Sequence, residues 1–295
     1  MPRAGLSHLD IHARSMLAID GLRLSDVRCR THASGWSAPD VSTVHRIVLV
    51  RDGVFPRRGS AGEGVLDATG AYLRVPGDEH EIAHPVHGGD RFTSIELSPA
   101  LAEATGAPAT GSYLRTSRQA DLEHRLLLAA LARGEDEDAE ERALALVANV
   151  LQMPAPRRAR AAHRRLVHDV QELLTLDPAL TLQDLGRRLS YSPHHISRVF
   201  AAVTGASVAS HRRRLRVRWV AERLAEGQRD LARLATEVGL TDASHLTRTV
   251  RRELGLVPSA LRTALTPPRE AAVGAPVGPA AERAATPAVG PASIV

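Results

Sequence analysis

The sequence predicts an α+β protein: a strand-rich N-terminal half followed by an all-helical C-terminal half. Three observations predict it. Hydrophobic periodicity changes along the chain, from short runs of β-forming residues broken by Gly, Pro and Asp turns before Ser98 to helical spacing after it. The chain of 295 residues is too long for one small core and suits two domains. Charge is also divided. Residues 1–156 carry 16 Arg against 21 acidic residues, a net of −5; residues 157–265 carry 20 Arg against 10, a net of +10. An acidic half joined to a basic one suggests a polyanion-binding part coupled to a part with another task.

Composition narrows the class. All 38 basic residues are arginine, which a GC-rich genome also produces, so arginine richness alone decides little. Aromatics are only 3% of the chain, so the cores rest on Leu, Val, Ala and Ile. Cys29 is the only cysteine and reads as a buried structural thiol in a reducing compartment. The N-terminal "MPRAGLSHLD" lacks a signal-peptide core, and no apolar run approaches the ~18 residues of a membrane span. A cytoplasmic protein is expected.

The strand-rich half runs from about Val41 to Leu97. In "VHRIVLVRDGVFPRR", Asp52-Gly53 separates two β-rich runs and predicts a hairpin. "GEGVLDATGAYLRVPGDEHEIAHP" adds short strands, and "RFTSIELSP" another; together they suggest a small barrel or sandwich. Next, "QADLEHRLLLAALARG" and "EDAEERALALVANVLQ" have helical spacing. Leu122, Leu126, Leu131, Leu144, Val147 and Leu151 either pair with a second copy, giving a homodimer, or cover the barrel. "MPAPRRAR" reads as a linker. Domain boundaries follow at 1–112, 113–156, 157–265 and a tail, 266–295, whose Pro/Ala/Gly-rich composition predicts disorder.

The helical half carries the sharpest pattern. In "TLQDLGRRLSYSPHHISRVF", Thr181 and Asp184 fit a capping box, Ser190-Tyr191 forms a break, Ser192 caps the next helix and Pro193 suits its first position. Ile196, Val199, Phe200 and Val203 face a core, leaving His194, Ser197 and Arg198 outward. This is the layout of a helix-turn-helix unit, whose second helix reads base edges in the major groove. The layout repeats in "DLARLATEVGLTDASHLTRTVRRELG": Asp230 caps, Gly239 turns, Leu246, Val250 and Leu254 face inward, and Ser244, Thr247, Arg248 and Arg251 face out. Arg198 and Arg248 stand 50 residues apart at matching positions. Between them, "VASHRRRLRVRWVAERLAEG" reads as one helix able to hold the two units at a fixed distance.

This segment resembles the DNA-binding domain of the AraC/XylS family of bacterial transcription regulators. The resemblance covers about 100 residues and is strongest in "GLTDASHLTRTVRRELGLVPSALR", Gly239 to Arg262, with Leu240, Leu246, Val250 and Leu254 where that family usually has aromatics. It implies base contact by His194, Ser197, Arg198, Ser244 and Arg248, with His195, His245 and Thr247 flanking. Arg212, Arg213, Arg214, Arg251 and Arg252 are the candidates for phosphates. The resemblance also implies double-stranded promoter DNA and RNA polymerase as partners and an unidentified small-molecule effector.

The strand-rich half resembles, more loosely, the cupin-like sensor domains that precede such DNA-binding domains. "PGDEHEIAH" supplies metal-ligand types in His80, His84 and Glu79 or Glu81, with His45 as a distant third ligand and His87 in a Gly-rich turn. The HxH motif with a following Glu, which enzymatic cupins use, is missing. No catalytic triad, phosphate loop or cofactor fingerprint stands out, so neither an enzyme nor a bound cofactor is expected. The reading is therefore a sequence-specific transcription regulator. Its alternatives are a metal-dependent cupin enzyme with a helical appendage and a non-specific architectural DNA-binding protein.

Overall fold

A computed structural model describes residues 10–30, 35–83, 89–152 and 160–266. It is α+β: a barrel of two sheets, two covering helices and an all-α C-terminal half. The first sheet has the order β1-β2-β9-β4-β7-β10, formed by Asp10–Ile19, Leu22–Arg30, Asp90–Leu97, His45–Asp52, Gly70–Arg74 and Ser112–Arg115. The second has the order β3-β8-β5-β6, formed by Asp40–Val41, Glu79–Ile82, Val54–Gly59 and Gly64–Asp67. Helix α1 (Pro99–Ala104) follows β9.

The hairpin expected at Asp52-Gly53 does not form. β4 pairs with β7 and β9, whereas β5 pairs with β6 and β8. Gly53 sits in the left-handed region at φ 84°, and the Asp52 carboxylate accepts its backbone N–H at 2.9 Å. The bend carries the chain from one sheet to the other. A Cβ at Gly53 would stand 2.8 Å from the carbonyl oxygen of Gly89, so the corner needs glycine for space as well as for φ. A true hairpin lies earlier, where Asp20-Gly21 joins β1 to β2 and Gly21 has φ 75°.

Helices α2 (Arg118–Arg133) and α3 (Asp136–Leu151) pack on the barrel. Leu127 and Ala130 of α2, with Leu146, Val147 and Val150 of α3, join Leu24, Ile47, Leu73 and Ile95 in one core. The other flank of α2 turns away from the barrel. Leu122, Leu126 and Ala129 pack on the second helix-turn-helix core. Most of the apolar surface expected either to dimerise or to cover the barrel is therefore buried within one chain, while Leu144 stays exposed.

The C-terminal half comprises α4 (Ala161–Leu176), α5 (Leu182–Leu189), α6 (Pro193–Thr204), α7 (Val208–Ala225), α8 (Leu231–Glu237), α9 (Ala243–Leu254) and α10 (Pro258–Leu265). It has two separate cores. Leu166, Val170, Leu174, Leu185, Ile196 and Phe200 close the first with Val208 and Leu215 from the start of α7. Leu234, Val238, Leu246, Val250 and Leu261 close the second with Val217, Val220 and Leu224 from its end. α7 is thus a strut of about 27 Å at 1.5 Å per residue, rooted in both units. The positions that depart from the family's aromatics, Leu240, Leu246, Val250 and Leu254, are all buried. No helix among the described residues is long and apolar enough to cross a membrane. The expected tail lies outside the described residues, apart from Thr266 at the end of α10.

Candidate nucleic-acid interface

Each helix-turn-helix unit is set by local chemistry. In the first, the Thr181 hydroxyl accepts the N–H of Asp184 at 3.2 Å and the Asp184 carboxylate accepts that of Thr181 at 2.8 Å, the reciprocal capping box. The Thr181 hydroxyl and backbone, then Arg187, pull the Asp184 carboxyl down to about 2. Ser190 ends α5 at φ 59°, the one non-glycine with positive φ among the described residues. The Ser192 hydroxyl then accepts the N–H of His195 at 3.2 Å and starts α6 with Pro193 behind it.

The second unit repeats these devices with different residues. Asp230 caps α8 by accepting the N–H of Arg233 at 3.0 Å. Gly239 supplies the left-handed turn at φ 67°. Asp242 caps α9 by accepting the N–H of His245 at 2.7 Å; that bond, with the Thr241 hydroxyl, holds its carboxyl below the ordinary value. Both second helices have 12 residues and are offset by 50 positions, Pro193–Thr204 against Ala243–Leu254. His194 and Ser244 are therefore the second residues of equivalent helices, and Arg198 and Arg248 the sixth.

All four of those side chains are exposed. Ser197 and Thr247 are half-buried, and the Thr247 hydroxyl donates to the Ala243 carbonyl at 2.8 Å. His195 is half-buried and stacks on Tyr191, ring centroids 5.3 Å apart. His245 faces the Thr241 hydroxyl at 3.2 Å. Arg251 and Arg252 are exposed on the last turn of α9.

The run Arg212–Arg214 is placed differently. Arg212 donates to the Leu180 carbonyl at 2.6 Å, tying α7 to the α4–α5 connection. Arg213 pairs with Glu253, a buried carboxylate of α9 that Arg118 of α2 also reaches at 2.9 Å. Arg214 pairs with Asp121 of α2 at 2.7 Å and donates to the Thr116 carbonyl. All three are engaged within the protein in this conformation, because α7 is enclosed by neighbours on most of its circumference.

Sequence reasoning missed the polar stripe His211, Arg214, Arg218 and Glu222 along α7, spaced by three and four residues. His211 Nε2 lies 3.0 Å from the carboxylate of Asp67, and Gln171 of α4 donates to the same carboxylate at 2.9 Å. Burial acts to raise the Asp67 pKa, but His211 and Thr69 outweigh it and hold the carboxyl well below its usual range. Arg218 pairs with Asp121, and Glu222 bridges Arg125 at 2.8 Å and Arg51 at 3.7 Å. The stripe is thus the seam that binds the helical half to the barrel. Its 3.6-residue spacing was visible, but its partners lie about 90 to 170 residues away.

The residues considered for a metal are dispersed. His80 is buried in β8, where burial, then Arg74 and Arg57, push it down to about 4. Glu81 makes a two-point pair with Arg58 at 2.5 and 2.7 Å. Glu79 is exposed, and His45 sits in the opposite sheet. His84 and His87 lie outside the described residues. Among the described residues there is no group of three or more His, Cys, Asp or Glu with metal-holding geometry.

Residues 185–264, from within α5 to the end of α10, match the helix-turn-helix domain family. They form an AraC-type helix-turn-helix domain. No curated protein sequence matches the chain. Among solved structures, the chain is similar to the C-terminal domain of AraT, a response regulator from Geobacillus stearothermophilus, at 21% identity over 38% of this chain and 93% of that one, with a TM-score of 0.34. It is also similar to ToxT from Vibrio cholerae O395, at 9% identity over 84% of this chain and 99% of that one, with a TM-score of 0.34. A cupin domain from Bordetella pertussis Tohama I aligns at 16% identity over 32% of this chain and 99% of that one, with a TM-score of 0.26.

Proposed function

We propose that this protein is a sequence-specific DNA-binding transcription regulator that reads two successive major grooves with α6 and α9. The observation that carries this reading is the equivalence of the two helices: 12 residues each, capped alike, exposing Arg198 and Arg248 at the same position, and rooted in one shared strut. Arginine donates two hydrogen bonds to guanine O6 and N7, while serine and histidine add single ones. His194, Ser197, Arg198, Ser244 and Arg248 are the base-reading set. Arg251 and Arg252, exposed beside it, serve the phosphates, whereas Arg212, Arg213 and Arg214 hold the scaffold together. The N-terminal half controls the reading head through the α7 seam, and bound protein acts by touching RNA polymerase or by covering a promoter.

Selection of preferred sites from random DNA, followed by footprinting, tests this. One-sided protection of two adjacent major grooves is expected. Arg198→Ala and Arg248→Ala should each cost about 1–3 kcal/mol, relaxing specificity at one base pair in the half of the site read by that helix. Uniform weakening on all sequences would instead mark these arginines as phosphate contacts and favour the non-specific architectural reading.

A further inference from the structure

Aligned on their caps, Ser192 and Asp242, helices α6 and α9 place His195 with His245 and Arg198 with Arg248. The match breaks at both ends of the outward surface. Just ahead of the cap stands Tyr191 in the first unit and Thr241 in the second. Near the other end α6 has Ala201 and Ala202 where α9 has Arg251 and Arg252, and all four are exposed. Both histidines are half-buried third residues of their helices, and each meets the side chain four residues earlier. Tyr191 stacks on His195 with ring planes 15° apart, and the Thr241 hydroxyl reaches His245 Nδ1.

Turn length separates the two units. In the second, Leu240 and Thr241 lie between the left-handed Gly239 and the cap Asp242, and Leu240 is buried. In the first, Tyr191 alone lies between the left-handed Ser190 and the cap Ser192. With one residue fewer, Tyr191 takes the outward place of Thr241. It is 48% exposed, and its hydroxyl has no hydrogen-bond partner among the described residues. Its backbone is nonetheless held. The Tyr191 N–H donates to the Gly186 carbonyl at 3.1 Å, and a Cβ at Gly186 would stand 2.9 Å from the Tyr191 carbonyl oxygen, so the close approach needs glycine. Turn, stack and exposure together present a fixed ring with a free O–H beside the first turn of α6.

We propose that Tyr191 is a DNA contact, donating its hydroxyl to a backbone phosphate at the α6 end of the site, with His195 positioning the ring. The proposal rests on the regulator reading for the seating of α6 in a major groove. A recognition helix enters the groove by its N-terminal residues, which brings its first turn near the flanking phosphates, and tyrosine is among the side chains that bond them. The two reading helices then grip the backbone by different chemistry: an uncharged O–H at the N-terminal end of α6, and guanidinium groups at the C-terminal end of α9. A phenol displaces no counterion, so its contribution is nearly independent of salt. Each arginine on a phosphate releases counterions and adds to the salt dependence.

The test uses the full chain and a fluorescent duplex carrying the selected site, with affinity read by anisotropy across a salt series. Tyr191→Phe keeps the ring stack and removes one oxygen. It should weaken binding at least about threefold, by the same factor at every salt concentration and without changing the ranking of DNA sequences. Arg252→Gln should also weaken binding on all sequences, but with the slope against log salt reduced by about one. A methylphosphonate scan of the duplex, replacing one phosphate at a time, should find a position at the α6 end where the parent loses affinity and Tyr191→Phe loses no more. Equal affinity of Tyr191→Phe and the parent would overturn the contact, as would a changed base preference or a lowered Tm accompanying the weaker binding. If selection yields no preferred site, the regulator reading fails, and a mixed-sequence duplex decides Tyr191 separately: a loss in Tyr191→Phe there keeps the contact, and no loss removes it.

Discussion

Asp121 of α2 is the hinge-pin of the seam between the two halves, and removing it makes a quantitative test. Its side chain is 4% exposed and pairs with both Arg218, 8% exposed, and Arg214, 19% exposed. Burial acts to raise its pKa, but the charges of Arg218 and Arg214 outweigh that and lower it. Asp121→Ala leaves Arg218 buried with no carboxylate partner, its remaining bonds being long ones to the Val50 carbonyl and the Thr116 hydroxyl. Breaking a buried pair from one side costs about 3–5 kcal/mol. Replacing both members with apolar side chains, as in Asp121→Leu with Arg218→Met, removes the stranded charge and should cost no more than about 1 kcal/mol. Urea unfolding at pH 7 followed by circular dichroism compares the parent with these two variants, and the double variant should be more stable than Asp121→Ala by at least ~2 kcal/mol.

The pH dependence has a definite sign. Because the folded pKa of Asp121 is depressed, its stabilisation is present above the unfolded carboxylate value of about 4 and is lost as pH falls through the lower folded value. The gap between parent and Asp121→Ala should hold from pH 5 to 8 and close below about pH 4. A single variant within about 1 kcal/mol of the parent at pH 7 would show that the seam does not hold the halves together in solution.

Other outcomes follow from the backbone and from a second buried acid. Ser190→Gly should stabilise the first unit by about 1 kcal/mol in thermal melts, since serine there adopts the left-handed conformation that glycine tolerates without strain. Gly239→Ala should do the reverse by about 1–2 kcal/mol, because φ is 67° and the new Cβ would sit 2.7 Å from the Cβ of Ala179. Burial pushes the Asp90 carboxyl up to about 7. Its folded value lies above the unfolded one, so its ionisation opposes folding increasingly as pH rises from about 4 to 7. Asp90→Asn should therefore raise the melting temperature at pH 8, with the advantage disappearing below about pH 4; equal shifts at both pH values would exclude Asp90 as the cause.

The second unit shows what can be read without a structure. Asp242 caps three residues ahead, Leu246 and Val250 recur at helical spacing, and Gly239 marks the turn; each signal is contained within a few residues. The first hairpin was equally legible in Asp20-Gly21, between "SMLAI" and "LRLSDV", but that stretch lies before the region where strands were expected. At Asp52-Gly53 the same dipeptide misleads, because a positive-φ glycine bends the chain sharply whether or not the flanking strands pair.

By itself, then, the sequence determined the helix-turn-helix pair, its caps and its outward arginines, since these depend on spacings of three and four residues that any helix imposes. Tertiary structure alone decided which sheet each strand joins, that Leu122 and Leu126 cover the second unit, and that Arg214 pairs with Asp121. Those outcomes depend on which surfaces meet after the chain closes. An arginine on a helix looks the same in sequence whether its counter-charge is bound DNA or a carboxylate 93 residues away.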